Sequence, residues 1–168
     1  MPELKDFLEE RLKNCKKLAV LGVGSVLLSD DAAGIMIVSN IKEIFSEDEY
    51  PNLRVYLGHT APENFTGEIK KFDPCHLIII DAADMKEEPG SIMVIQPEVI
   101  SGVSFSTHML PLKVMAEYLK KETGCIMTIL GIQGVDVSYG GDVTPKVREA
   151  IDEITGIMVE VIKSLNLK

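Results

Sequence analysis

The sequence has no tryptophan, and aromatic residues make up only 5% of its 168 residues. Hydrophobic residues still account for 46% of the chain, so aliphatic side chains must build the core. No apolar run approaches the roughly 18 residues that a membrane-spanning helix needs. The first residues, Met1–Asp6, place no apolar run behind basic residues. The sequence therefore predicts neither a membrane anchor nor a secretory signal.

Cysteine and positive charge are also scarce. The three cysteines, Cys15, Cys75 and Cys125, are odd in number and form no CxxC pair, which excludes a disulfide framework and a zinc knuckle. We expect reduced thiols in a cytoplasmic protein. Lysine and arginine total 17 against 26 acidic residues, a net charge of −9. Because such a surface repels phosphate backbones and anionic lipids, neither nucleic acid nor a membrane surface is an expected partner.

Helical and strand patterns alternate along the chain. Continuous apolar runs such as Leu18–Val23 and Leu77–Ile80 are typical of strands buried on both faces of a parallel sheet. Segments with apolar residues at helical spacing separate these runs, and Thr60–Glu63 has the spacing of a capping box at one helix start. This order predicts one domain over residues 1–168, with a three-layer α/β/α fold and a twisted, mostly parallel sheet of about five strands. Sites in such sheets lie beyond the carboxyl ends of the strands.

Three polar residues fall at that predicted edge. Asp31 lies in the first turn after the first strand, Asp81 directly follows the third, and His108 begins the helix after the fourth. The adjacent Asp30, like Ser29, could cap the helix while Asp31 faces the cleft. Two carboxylates and one imidazole form a suitable nitrogen and oxygen ligand set for a borderline divalent ion with open positions.

Other candidate residues have competing interpretations. His76 precedes the third strand, at the opposite end of the sheet, and is interpreted as structural, whereas His59 lies on the same rim as the three candidates. The segment Gly22–Leu27 begins like a dinucleotide-binding fingerprint. However, Leu27 replaces the third glycine, and no acidic residue ends the second strand to hold a ribose. A nucleotide-binding α/β protein therefore stays an alternative.

The motifs resemble those of hydrogenase maturation endopeptidases. Gly22–Gly34 is similar to the family's opening motif, GxGNxxxxDDGxG, with Ser25 in place of the usual asparagine. Further similar segments follow in the same order: His59–Asn64, Leu77–Asp84, Thr107–Leu112, Leu130–Gln133 and Thr144–Pro145. The His59–Asn64 segment is most similar to the branch that serves hydrogen-evolving, group 4 or coenzyme-reducing hydrogenases.

This resemblance implies a function and a set of site residues. Such enzymes remove the C-terminal extension of a nickel-loaded NiFe-hydrogenase large-subunit precursor, and they are often classed as aspartic-type endopeptidases. The family's metal-binding positions map onto Asp31, Asp81 and His108, the predicted catalytic and metal-binding residues. The residues His59, Thr60 and Glu63 are the predicted substrate contacts. The resemblance implies that nickel arrives with the precursor, and other divalent ions could occupy the same residues.

A non-catalytic nickel-binding maturation chaperone is a second alternative, because it would use the same residues without cutting its partner. The sequence has no HExxH zinc helix, no GxSxG elbow and no paired Asp-Thr/Ser-Gly signature of pepsin-like enzymes. An acidic site at this edge of the sheet suits both proteolysis and chaperoning. Only cleavage of a precursor therefore distinguishes the two.

Overall fold

The computed structural model describes residues 2–95, 104–105 and 109–168. The helices in this part of the chain are α1 (Pro2–Leu12), α2 (Ala33–Ile44), α3 (Thr66–Phe72), α4 (Met109–Thr123) and α5 (Pro145–Ser164). The strands are β1 (Leu18–Val23), β2 (Leu53–His59), β3 (His76–Asp84), β4 (Ile92–Ile95), β5 (Ser104–Phe105) and β6 (Ile126–Gln133). Short 3-10 turns at Ser29–Ala32 and Pro62–Phe65 precede α2 and α3. Among the described residues, no helix is long and apolar enough to cross a membrane.

The strands form one mostly parallel sheet in the order β2-β1-β3-β6-β4. Strands β1, β2, β3 and β6 run parallel, whereas β4 lies antiparallel to β6 at one edge. The two-residue β5 pairs antiparallel with the last residues of β3. Helices α1, α2 and α5 cover one face, and α3 and α4 cover the other. The predicted three-layer α/β/α fold is confirmed, with β5 added to the five longer strands.

The core is aliphatic, as the composition predicts. Two apolar clusters fill the space between the sheet and the helices on each face. Helix α5 contributes an uninterrupted buried stripe at helical spacing, which packs against α2 and the sheet. The buried members of this stripe are Val147, Ala150, Ile151, Ile154, Ile157, Met158, Val161 and Ile162.

Two predicted helix caps are wrong. Thr60 does not cap the helix after β2, because the 3-10 turn begins only at Pro62. The cap position is occupied by Ala61, which makes no side-chain cap hydrogen bond. The turn before α2 has Leu28 at its cap position, also without a side-chain cap hydrogen bond. Ser29 instead donates a hydrogen bond from Oγ to the carbonyl of Asp142, 2.7 Å away. In both turns the polar side chains serve tertiary contacts or solvent rather than the local helix end.

His76 is structural, as predicted. It is buried at the first position of β3, the end of the sheet opposite the predicted site, and its Nε2 lies 2.9 Å from Thr128 Oγ1. Burial, with a smaller contribution from the charge of Arg11, lowers the pKa of His76 from 6.5 to about 4. The imidazole is therefore neutral in the folded protein near neutral pH.

The lowered pKa of His76 predicts a loss of stability in mild acid. The unfolded chain takes up this proton near pH 6.5 and the folded chain only near pH 4. The free energy of unfolding should therefore fall as pH drops from 6.5 to 4, by about 3 kcal/mol from this group. Urea unfolding across this range should show a flatter pH dependence for His76→Asn than for the wild type. The exposed-histidine control His59→Asn should retain the wild-type slope, and equal slopes in all three proteins would contradict the prediction.

Candidate functional site

The site lies where the direction of strand order reverses. The chain runs from β1 to β2 through α2, which covers one face of the sheet. It then passes through α3, on the opposite face, to β3, which lies on the other side of β1. In sheets of this kind the binding crevice lies at such a point, which here falls between the carboxyl ends of β1 and β3. Asp31 follows β1, and Asp81 lies near the end of β3. Chain topology thus brings the two predicted carboxylates to the same crevice.

A glycine lets α2 approach this edge closely. A Cβ atom on Gly34 would lie only 2.2 Å from the carbonyl oxygen of Ile80 and 2.4 Å from that of Val23. The first turn of α2 therefore lies directly against the ends of β1 and β3, which no larger residue would allow. The 3-10 turn that carries Asp31 comes just before it and also contacts β3.

The loop after β1 holds the carboxylate of Asp31. Gly24 turns the chain with a φ of 127°, and a Cβ there would lie 1.8 Å from the carbonyl oxygen of Asp31. The next residue, Ser25, donates its backbone N–H to Asp31 Oδ2 at 2.7 Å. Asp31 is buried, and its own N–H donates to the carbonyl of Leu28. One carboxylate oxygen is thereby oriented by the main chain, which is how α/β folds position a functional acid.

Asp81 is fully buried near the carboxyl end of the central strand β3. The sequence places it just after this strand, but β3 continues to Asp84, and Asp81 pairs with Gly131 of β6. Its backbone is held by this pairing with β6, whereas the pairing of β3 with β1 ends one residue earlier, at Ile80. A rigid strand residue is a precise support for a functional side chain. Asp84, three residues later, is exposed and bonds to Lys86 in the turn that follows.

His108, the third predicted ligand, lies outside the described residues, and its role stays a prediction. The nearest described neighbours are Phe105, which pairs with Ala83 of β3, and Met109, the first residue of α4. Within the described ranges, no group of three or more His, Cys, Asp or Glu side chains is arranged to hold a metal ion. Asp31 and Asp81 are therefore the described part of the predicted ligand set.

Asp30 has a role that sequence reasoning missed. Its fully buried carboxylate does not cap the local helix. Oδ2 accepts the N–H groups of Val135 and Asp136 at 2.9 and 3.1 Å, and the hydroxyl of Thr144 at 3.0 Å. Oδ1 accepts the N–H of Thr144 at 2.7 Å. Asp30 thus joins the turn before α2 to the loop that leads into α5.

Gln133 organises the neighbouring loop and was also missed as a site residue. At the end of β6, its Oε1 accepts the N–H groups of Met85 and Glu87 at 2.7 and 3.2 Å. Its Nε2 donates to the carbonyl of Gly134 at 2.7 Å. These bonds connect the loops that leave β3 and β6. The only sequence signal for this role is its position at the end of a predicted motif.

The predicted substrate contacts lie beside the crevice. His59 ends β2 with a φ of 48°, and its carbonyl accepts the N–H of Gly24 at 3.0 Å. Its side chain is exposed, as are those of Thr60 and Glu63. These three side chains are therefore accessible to a ligand next to the loop that holds Asp31. Their contact with substrate stays a prediction.

The geometry disfavours phosphate binding at the loop after β1. In a dinucleotide site, free backbone N–H groups of the glycine-rich loop face the phosphates. Here the N–H of Ser25 already bonds to the carboxylate of Asp31. A phosphate at this loop would meet a negative charge, so the nucleotide-binding alternative is not favoured. Two buried carboxylates at the same edge of the sheet suit a divalent cation or general-base chemistry instead.

Comparisons with known proteins place this chain among hydrogenase maturation proteases. The family described as hydrogenase maturation protease matches residues 35–161, which include Asp81 and His108 and begin shortly after Asp31. A provisionally named hydrogenase maturation protease of Methanocaldococcus jannaschii is 37% identical over 98% of this chain and 99% of its own length. The hydrogenase 3 maturation protease of Escherichia coli is 32% identical, over 80% of this chain and 84% of its own. The crystal structure of a NiFe-hydrogenase maturation protease from Thermococcus kodakarensis has a TM-score of 0.85 and 25% identity, covering 94% of this chain and 99% of that one.

Proposed function

This chain belongs to the hydrogenase maturation protease family, and we propose that it removes the C-terminal extension of a nickel-loaded NiFe-hydrogenase large-subunit precursor. Membership makes it an endopeptidase. The observation that carries the proposal is the pair of buried carboxylates, Asp31 and Asp81, at the crevice between β1 and β3. A peptide bond presented there meets buried acids in a partly dehydrated setting, where their electrostatic effect is strong.

The two carboxylates and His108 are proposed to engage the nickel ion that the precursor carries. Carboxylate oxygen and imidazole nitrogen are suitable donors for nickel, and other divalent ions accept the same set. Contact with the ion would position the adjacent peptide bond over the crevice. A carboxylate then accepts a proton from the attacking water, which fits classification as an aspartic-type endopeptidase. In this scheme the ion belongs to the substrate and also reports that the precursor is loaded.

The exposed side chains His59, Thr60 and Glu63 are proposed to contact the precursor beside the cut. The carbonyl of His59 accepts the N–H of Gly24, and all three side chains are exposed. We further propose that the reaction takes place in the cytoplasm. All three cysteines are free thiols in the structure, which fits a reducing compartment.

The test is incubation of the purified protein with its nickel-loaded precursor and, separately, with the nickel-free precursor. The mass of the precursor should fall by one C-terminal peptide only when nickel is present. Binding of the loaded precursor without any change in mass would support the chaperone alternative and contradict the proposed proteolysis. Cleavage of both forms at equal rates would contradict the proposed role of nickel while leaving the protease activity intact.

A further inference from the structure

Three alternate residues of one loop are unusually exposed for apolar side chains. Val135, Val137 and Tyr139, between β6 and α5, have 63%, 65% and 79% of their surface exposed. These are the highest values among the large hydrophobic residues that the structure describes. Neighbouring exposed apolar residues mark interaction surfaces more often than isolated ones do.

A second segment extends this surface. Val26 and Leu27, in the loop after β1, are 57% and 55% exposed. The two loops are joined directly, because the N–H of Gly140 donates to the carbonyl of Leu27 at 2.8 Å and Leu28 forms a β-bridge with Tyr139. The five side chains of this surface, here called the apolar rim, are Val26, Leu27, Val135, Val137 and Tyr139.

The apolar rim begins at the candidate active site. Val26 follows Ser25, whose N–H holds the carboxylate of Asp31. On the other loop, the N–H of Val135 is held by the carboxylate of Asp30, the neighbour of Asp31. Both loops are thus hydrogen-bonded directly to the turn that carries the proposed catalytic carboxylate.

The same hydrogen bonds keep the apolar rim in place without a ligand. Asp30 is fully buried and fixes the loop at Val135, Asp136 and Thr144. A preformed surface loses less conformational entropy on binding than a loop that must first become ordered. Exposed apolar residues elsewhere, such as Ile44 and Ile126, belong to other elements, at the end of α2 and the start of β6.

We propose that the apolar rim binds an apolar segment of the large-subunit precursor next to the peptide bond that is cut. This inference rests on the proposed function, because an endopeptidase must hold the substrate chain where it leaves the catalytic carboxylates. The apolar rim is the exposed surface of the two loops that are hydrogen-bonded to the turn of Asp31. Apolar contact supplies affinity that does not depend on the charge of the partner.

The test is steady-state processing of the nickel-loaded precursor by the variant Val135→Ser/Val137→Ser. We expect its KM to rise at least about tenfold, while kcat changes less than about twofold, because the variant leaves Asp31 and Asp81 untouched. The matched control, Ile44→Ser/Ile126→Ser, removes two exposed apolar side chains of similar size far from the crevice. The control should show the wild-type KM.

The outcomes separate this inference from the function on which it rests. Normal processing by the wild type with an unchanged KM in Val135→Ser/Val137→Ser would overturn the apolar rim as a substrate surface and leave the function intact. No processing by the wild type would overturn both. A wild-type dimer in light scattering that the same double variant dissociates, with KM unchanged, would assign the rim to self-association and also overturn the inference.

Discussion

Replacing Asp31 or Asp81 with asparagine is expected to slow precursor processing by about a thousandfold or more, the range typical for loss of a catalytic base. Both substitutions keep the size of the side chain and remove the charge that would bind nickel or accept a proton. The fold should persist, because the amide oxygen of the Asp31→Asn side chain can still accept the N–H of Ser25 and because residue 81 stays fixed within β3. The rate is measured by mass spectrometry of the nickel-loaded precursor under single-turnover conditions.

Asp84→Asn is the matched control for this experiment. Asp84 lies on the same strand, three residues after Asp81, but is exposed and bonds to Lys86. Its substitution should leave the processing rate within about twofold of the wild type. The His108→Gln variant should lose activity as Asp31→Asn does. If Asp31→Asn and Asp81→Asn both retained processing within about tenfold of the wild type, the assignment of the site would be wrong.

Asp30→Ala should produce the largest loss of stability. The substitution removes the acceptor of four hydrogen bonds from a fully buried position and leaves three backbone N–H groups and the hydroxyl of Thr144 without it. Hydrogen bonds to a charged group are worth more than neutral ones, so the free energy of unfolding should fall by about 4 kcal/mol. Urea unfolding at a pH of about 7.5 measures this change.

Asp136→Ala is the control for Asp30→Ala, because it comes from the same loop and also removes a carboxylate that accepts hydrogen bonds. Its bonds, to the N–H and hydroxyl of Ser138, are local and exposed. The expected loss of stability for Asp136→Ala is below about 1 kcal/mol.

At a temperature where Asp30→Ala remains folded, the KM of Asp30→Ala for the precursor should also rise, since the apolar rim loses its anchor. A loss below about 1 kcal/mol for Asp30→Ala would show that Asp30 does not hold the loop.

Local patterns in the sequence were enough to predict the sheet and the edge at which Asp31 and Asp81 lie. The apolar run Leu18–Val23 matches β1 residue for residue, and the parallel pattern predicts the edge at which Asp31 and Asp81 lie. The role of Asp30 could not be predicted in this way. A cap motif is a local signal, whereas the partners of this carboxylate lie 105 to 114 residues further along the chain. Burial and long-range bonding decided between two adjacent aspartates that look equivalent in sequence.

The long reach of Asp30 also has a consequence for chain synthesis. The ribosome makes the turn that contains Asp30 and Asp31 early, but the groups that surround the Asp30 carboxylate are made only with the segment from Val135 to Thr144. Until that segment emerges, the carboxylate has only water to solvate it and favours an open turn. In the nascent chain, this turn therefore gains its hydrogen-bond partners only after residue 144 has been made.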